Sequence, residues 1–159
     1  MPRRNSPVKI KLRSPGLVDL HFHGAFGIDL MRAEKYQLDD LATRLLKAGV
    51  AGFCPTTLSA PPSELLQAVT RLGQWIDSVR RETRIHPSRA CERALPLGIH
   101  LEGPFISSEA CGAHPLKSIR PLDFKELDRL WEASHHSLKI LTIAPENQAS
   151  GRALGEEAR

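Results

Sequence analysis

Pro15-Gly16-Leu17-Val18-Asp19-Leu20-His21-Phe22-His23-Gly24 is the stretch that decides the fold. Leu17 to Phe22 is apolar enough for a buried strand, and Gly24 ends it. Side chains along a strand alternate between faces, which places Asp19, His21 and His23 together, opposite Val18, Leu20 and Phe22. Two imidazoles on one face at a strand end can converge on one metal ion, since neutral imidazole is the commonest protein metal ligand. Asp19, on the same face, is placed to orient one of them.

Working outward, Val8-Lys9-Ile10-Lys11-Leu12-Arg13 alternates apolar and basic residues, the pattern of a half-exposed strand closed by Pro15-Gly16. Leu38, Leu41, Leu45 and Leu46 repeat at helical spacing, with Gly49 where a C-terminal cap belongs. Val50 to Leu58 predicts a short strand breaking into a polar turn. Pro61 and Pro62 open a longer helix with apolar positions Leu65, Leu66, Val69, Leu72, Ile76 and Val79, and the polar segment 80–93 predicts a loop. Leu95 to Phe105 predicts a third, buried strand. Asp123, with Glu126 three residues on, predicts the start of a helix whose buried side is Leu127, Leu130 and Trp131. Leu138 to Ala144 predicts a fourth strand, closed by Pro145-Glu146.

Strands alternating with helices imply parallel βαβ units. Active sites in such folds lie beyond the C-terminal strand ends, where His23, Thr56-Thr57, Glu102 and Glu146 fall. The expected class is α/β, a partial (β/α)8 TIM-type barrel of about four units. A complete barrel needs about 200–250 residues, and 159 suffice for about half of one. Residues 1–14 are expected to be a remnant of a small N-terminal β domain, and 15–159 the first half of the barrel.

Composition excludes several classes of function. The net charge is +4, with basic residues dispersed and aromatics at 5%, so no nucleic-acid surface is expected. Cys54, Cys91 and Cys111 show no CxxC spacing, which argues against a disulfide framework or a cysteine zinc site. No apolar run approaches the roughly 18 residues of a membrane span, and no signal peptide begins the sequence. The expected location is the cytoplasm.

Beyond the histidine pair, Glu102 ends an apolar strand beside Gly103-Pro104. A carboxylate there is costly unless paired or metal-bound, so it is either a ligand for a divalent cation or a salt-bridged structural residue. His100 predicts an inward, hydrogen-bonded histidine. His114, in the loop Gly112-Ala113-His114-Pro115, can donate to a sugar oxygen or a phosphate, or face solvent. The hydroxyls of Thr56 and Thr57 are expected to be local caps.

The segments PGLVDLHFHG (15–24), FCPTT (53–57), GIHLEGPF (98–105), GAHP (112–115) and LTIAPE (141–146) stand in this order, and together they resemble the N-acetylglucosamine-6-phosphate deacetylases of the amidohydrolase superfamily. The first motif is shared across the superfamily; HLEGPF followed by GAHP is more specific. The resemblance covers roughly residues 8 to 146. It implies a metal-dependent hydrolase on a distorted (β/α)8 barrel with a small β-sandwich domain, which converts N-acetylglucosamine 6-phosphate and water to glucosamine 6-phosphate and acetate. It also implies that Glu102 is a metal ligand, that His21 and His23 bind a second metal in members that keep both, and that Ala113 and His114 contact the sugar phosphate. The cofactor implied is one or two divalent ions, of which Zn2+ is expected. The partner implied is a small amino-sugar phosphate, and a full-length chain is expected to be a homo-oligomer.

The family takes two further metal-binding histidines and its catalytic aspartate from later strands, so this chain is expected to be an N-terminal portion. It carries no catalytic residue by this reading and is expected to be inactive and prone to self-association alone. The rival readings are a non-catalytic fragment, a sugar-phosphate-binding remnant, and another amidohydrolase of dihydroorotase type, against which HLEGPF and GAHP argue.

Overall fold

The computed structural model describes residues 15–146. The expected strand at Val8 to Leu12 and the expected domain boundary at residue 14 lie outside the described residues. Within them the chain is α/β. Strand β1 (Leu17–Phe22) leads into a tight hairpin, β2 (Gly24–Ala25) and β3 (Ile28–Asp29), which the sequence reading did not anticipate. Then follow helix α1 (Lys35–Lys47), β4 (Val50–Pro55), α2 (Pro62–Ile85), β5 (Leu95–Pro96), β6 (Ile99–Glu102), α3 (Phe124–Ala133) and β7 (Leu138–Thr142).

The pairings of β1 with β4, β4 with β5, and β6 with β7 are all parallel. A parallel bridge between Thr56 and His100 joins β4 to β6. The chain therefore lays down successive strands side by side, with α1 between β1 and β4, α2 between β4 and the β5–β6 pair, and α3 before β7. The core fills the space between this wall and the helices, where Phe53, Leu65, Leu72, Ile76, Leu101 and Phe105 are fully buried. Each such side chain contributes about 1.5–3 kcal/mol by leaving water.

Several expectations are corrected. β1 is an edge strand, not a buried one: Leu17, Val18 and Leu20 are 66%, 58% and 53% exposed, because β4 covers only one side. Its alternation is also broken by irregular register between Asp19 and Phe22. The third strand is two strands. Leu95–Pro96 pairs with β4, and the chain then changes partner at Leu97-Gly98: the Leu97 N–H donates to the Phe53 carbonyl, and the Ile99 N–H to that of Ser137.

Residues 80–85 are helical rather than looped. The segment is polar because this end of α2 is held by ion pairs and side-chain bonds, among them Arg81 with Asp77 and Arg80 with the Ser137 hydroxyl. Pro87 then stops the helix. At α3, Asp123 caps by accepting from the Lys125 N–H, but Glu126 turns to Arg120 instead of closing a capping box. Trp131 is 39% exposed and stacks on His136, so it is not part of the buried side.

Two apolar surfaces stay open among the described residues. One is the outer part of β1. The other is a groove of about 450 Å3 between α3 and β7, lined by Leu101, Leu127, Trp131, Leu138 and Leu141. Exposed apolar area of this kind drives association. Sedimentation velocity of the 159-residue chain should therefore show concentration-dependent self-association, weakened by Val18→Lys with Leu20→Lys. A monomer at all concentrations would contradict this. No helix among the described residues is long and apolar enough to cross a membrane.

Candidate metal centre

The C-terminal ends of β1, β4, β6 and β7 meet on one rim. His21 and His23 come from the end of β1 and its exit, and Glu102 closes β6. Eighty residues of sequence separate the histidines from the glutamate, and the parallel wall brings them together. His21 Nε2 lies 3.0 Å from His23 Nε2 and 3.1 Å from Glu102 Oε2, and His23 Nε2 lies 3.0 Å from the same carboxylate oxygen.

Ligand atoms about 2.0–2.2 Å from one tetrahedral divalent ion stand about 3.3–3.6 Å from each other, so this triangle needs to open by only a few tenths of an ångström to hold one. Hydrogen-bond partners assign the protons. His23 Nδ1 faces the Thr56 carbonyl at 3.2 Å. A carbonyl only accepts, so the neutral ring carries its hydrogen on Nδ1 and aims the Nε2 lone pair at Glu102. Two acceptors 3.0 Å apart repel unless a metal cation, or a hydrogen on the adjacent His21 Nε2, lies between them. The donor set therefore fits a divalent ion.

The electrostatics agree. Burial pushes the Glu102 carboxyl up, but the hydrogen bond from His114 and the positive charge that His21, His114 and His23 bring when protonated pull it below the ordinary carboxylate range. The carboxylate is thus held ionised, as a ligand must be. Beneath it His100 is buried, and that burial holds its imidazole below the usual histidine value. Its Nδ1 faces the Leu20 carbonyl at 3.1 Å, and its Nε2 lies 2.7 Å from the Thr142 hydroxyl. His100 is the inward, bonded histidine expected, and it ties β1 and β7 to β6 directly under the ligands.

The other candidates fall as follows. Asp19 accepts from the His21 backbone N–H at 3.0 Å, so it fixes the main chain of that ligand rather than an imidazole. The Thr56 hydroxyl makes the expected local contact, donating to the Cys54 carbonyl, and it also accepts from the Phe22 N–H, stapling β1 to β4. The Thr57 hydroxyl is buried without a hydrogen-bond partner. His114 is 8% exposed, which excludes the solvent-facing alternative, and its Nε2 stands 3.3 Å from Glu102 Oε2. Ala113 is exposed at the mouth of a cleft of about 390 Å3 that His23, Glu102, Cys111, His114 and Thr142 also line. Glu146 is exposed and does not line that cleft; Thr142 takes the place expected for it. All three cysteines are free.

Sequence reasoning missed Thr142 and Ser59. Neither has a local signal, because each acts on a histidine at least 42 positions away.

No protein-family model matches the chain. The chain is 34% identical over 148 residues to the N-acetylgalactosamine-6-phosphate deacetylase of Escherichia coli O157:H7, covering 91% of this chain and 35% of that protein. It is 37% identical over 133 residues to the N-acetylglucosamine-6-phosphate deacetylase of Bacillus subtilis, covering 83% and 31%. Among solved structures, N-acetyl-D-glucosamine-6-phosphate deacetylase from Mycobacterium smegmatis matches with a TM-score of 0.69 at 31% identity, over 89% of this chain and 36% of that one. A mutant of that enzyme, in complex with N-acetyl-D-glucosamine-6-phosphate, matches equally well. The chain spans about a third of the length of the curated relatives it matches.

Proposed function

We propose that this chain, related along most of its length to the N-acetylglucosamine-6-phosphate deacetylases, carries the metal-binding part of a deacetylase site for N-acetylglucosamine 6-phosphate. His21, His23 and Glu102 would hold one divalent cation. Two imidazole nitrogens and a carboxylate oxygen suit Zn2+. The observation that carries the reading is the triangle of candidate ligand atoms 3.0–3.1 Å on a side, with the His23 lone pair turned inward. The four successive parallel strand positions, with these residues at their C-terminal ends, are what the first half of a (β/α)8 barrel would present.

A divalent ion bound there supplies Lewis acidity: it brings the pKa of its water toward 7 and polarises an amide carbonyl. The chain's own residues do the rest of what the geometry allows. Glu102 stays ionised. Thr56 keeps the His23 lone pair on Nε2. Ala113 and His114 border the cleft where the sugar phosphate would lie, with the His114 ring close to the ligand carboxylate.

The reading is tested by titrating the Zn2+-loaded 159-residue chain with N-acetylglucosamine 6-phosphate. Saturable binding is expected, weakened about tenfold by His114→Ala, which is the loss of one good hydrogen bond to a charged group. No saturable binding to the wild-type chain would contradict the reading. Acetate release should be negligible, because among the described residues Glu102 is the one carboxylate lining the cleft and it is occupied as a ligand. Turnover at about 1 s−1 or faster, the ordinary enzymic range, would show that a proton acceptor had been overlooked.

A further inference from the structure

We propose that Ser59 is a positioning residue: it fixes the tautomer of His114, so that His114 meets the Glu102 carboxylate and the cleft as a proton donor and never as a metal ligand. The functional sense of this inference rests on the deacetylase reading above; its geometry does not.

The Ser59 backbone N–H donates to His114 Nδ1 at 3.0 Å, and the Ser59 hydroxyl lies 2.8 Å from the same nitrogen. An N–H aimed at a ring nitrogen requires a lone pair there. The neutral ring therefore carries its hydrogen on Nε2. That nitrogen stands 3.3 Å from Glu102 Oε2, an ionised oxygen that only accepts. His23, beside the same oxygen, has the opposite arrangement, because its Nδ1 faces a carbonyl instead of an amide. Two main-chain groups, the Thr56 carbonyl and the Ser59 N–H, thus sort two imidazoles around one carboxylate into ligand and donor.

The contact is enclosed. Ser59 is 3% and His114 8% exposed. A Cβ on Gly103 would lie 2.1 Å from the Ser59 hydroxyl oxygen and 3.1 Å from His114 Nδ1, and Gly103 has φ +70°. The pair forms because position 103 has no side chain. A proton donor held there suits an anionic or carbonyl oxygen of a bound ligand. It also explains why a third histidine can stand next to a cation site without joining it.

The test is multiple-bond 1H–15N NMR of the 15N-histidine-labelled chain at about pH 8. His114 is assigned by the signal lost in His114→Gln. The expected wild-type pattern is a protonated Nε2 and an unprotonated, hydrogen-bonded Nδ1, unchanged by Zn2+. Ser59→Ala removes one of two donors and should move the Nδ1 resonance toward that of a free acceptor, leaving the other rings in place. Gly103→Ala should do the same by displacing the Ser59 hydroxyl. A protonated Nδ1 in the wild-type chain, a His114 Nε2 that becomes metal-bound on adding Zn2+, or a Ser59→Ala spectrum identical at His114 would each overturn the proposal. If Zn2+ moves neither His21 nor His23 while the His114 pattern holds, the metal reading fails and this one stands.

Discussion

Glu102→Ala is expected to weaken Zn2+ binding by on the order of a hundredfold or more, about 2.8 kcal/mol at ten-fold per 1.4 kcal/mol, while leaving the metal-free fold nearly as stable as before. Both halves follow from the geometry. Glu102 Oε2 touches His21, His23 and His114 at 3.1, 3.0 and 3.3 Å, so its removal deletes the one anionic corner of the ligand triangle. A pair of neutral imidazoles has no charge with which to offset an ion's desolvation. Even outer partners of metal ligands are worth 10- to 100-fold in affinity, and a ligand itself should exceed them. The carboxylate is not a packing element: its side chain is 18% exposed, and in the absence of metal it faces the lone pair of His23. Isothermal titration with Zn2+ measures the first effect and urea unfolding in chelator the second. Unaltered affinity would remove Glu102 from the site. A large loss of metal-free stability would make it a structural ion-pair residue, the alternative its sequence position had left open.

The second large effect is at Gly73, in the middle of α2, and here helix propensity and tertiary packing predict opposite signs. Glycine inside a helix costs about 1 kcal/mol relative to alanine, so propensity alone makes Gly73→Ala stabilising. But a Cβ at Gly73 would lie 2.4 Å from the carbonyl oxygen of Ser134, 2.5 Å from its carbonyl carbon and 2.7 Å from its Cα. These are backbone atoms with no rotamer to yield. Ser134 caps α3 and leads through a turn into β7. Accommodating the methyl group therefore means moving α3 from α2 and shifting the strand whose Thr142 braces His100. Overpacking of this sort costs about 1–3 kcal/mol and more where the backbone must move, so a net loss of about 2–4 kcal/mol is expected. Urea denaturation decides the sign. A Gly73→Ala chain as stable as the wild type would mean that the α2–α3 contact is looser than described.

Gly73 also marks where sequence reading stops. Of the six apolar positions read from spacing in α2, the structure buries Leu65, Val69, Leu72, Ile76 and Val79 and leaves Leu66 exposed. Spacing does not reveal that one position must be empty for another helix's end to pass. The same distinction runs through the site. His21 and His23 were legible because their alternate spacing puts both imidazoles on one face at a strand end, and Glu102 because a carboxylate ending an apolar strand is expensive to bury unpaired. His100 was legible for the same reason. Ser59, Thr56 and Thr142 were not, since a hydroxyl in a turn or at a strand end is ordinary, and the partners Phe22, His100 and His114 lie far away in sequence. β1 was misjudged because an apolar run reports what a strand can bury, not what covers it. The end of α2 was misjudged because its polar residues are fixed by partners distant in sequence, such as Ser137 for Arg80.

The central claim is that two strands, 80 residues apart in sequence, present a single cation site. Zinc per chain, measured by mass spectrometry after dialysis against limiting Zn2+, tests it in the wild type and in His21→Ala, His23→Ala and Glu102→Ala. About one ion is expected in the wild type and a loss in every variant, the Glu102 variant included. Retention of full zinc by all three variants would contradict it.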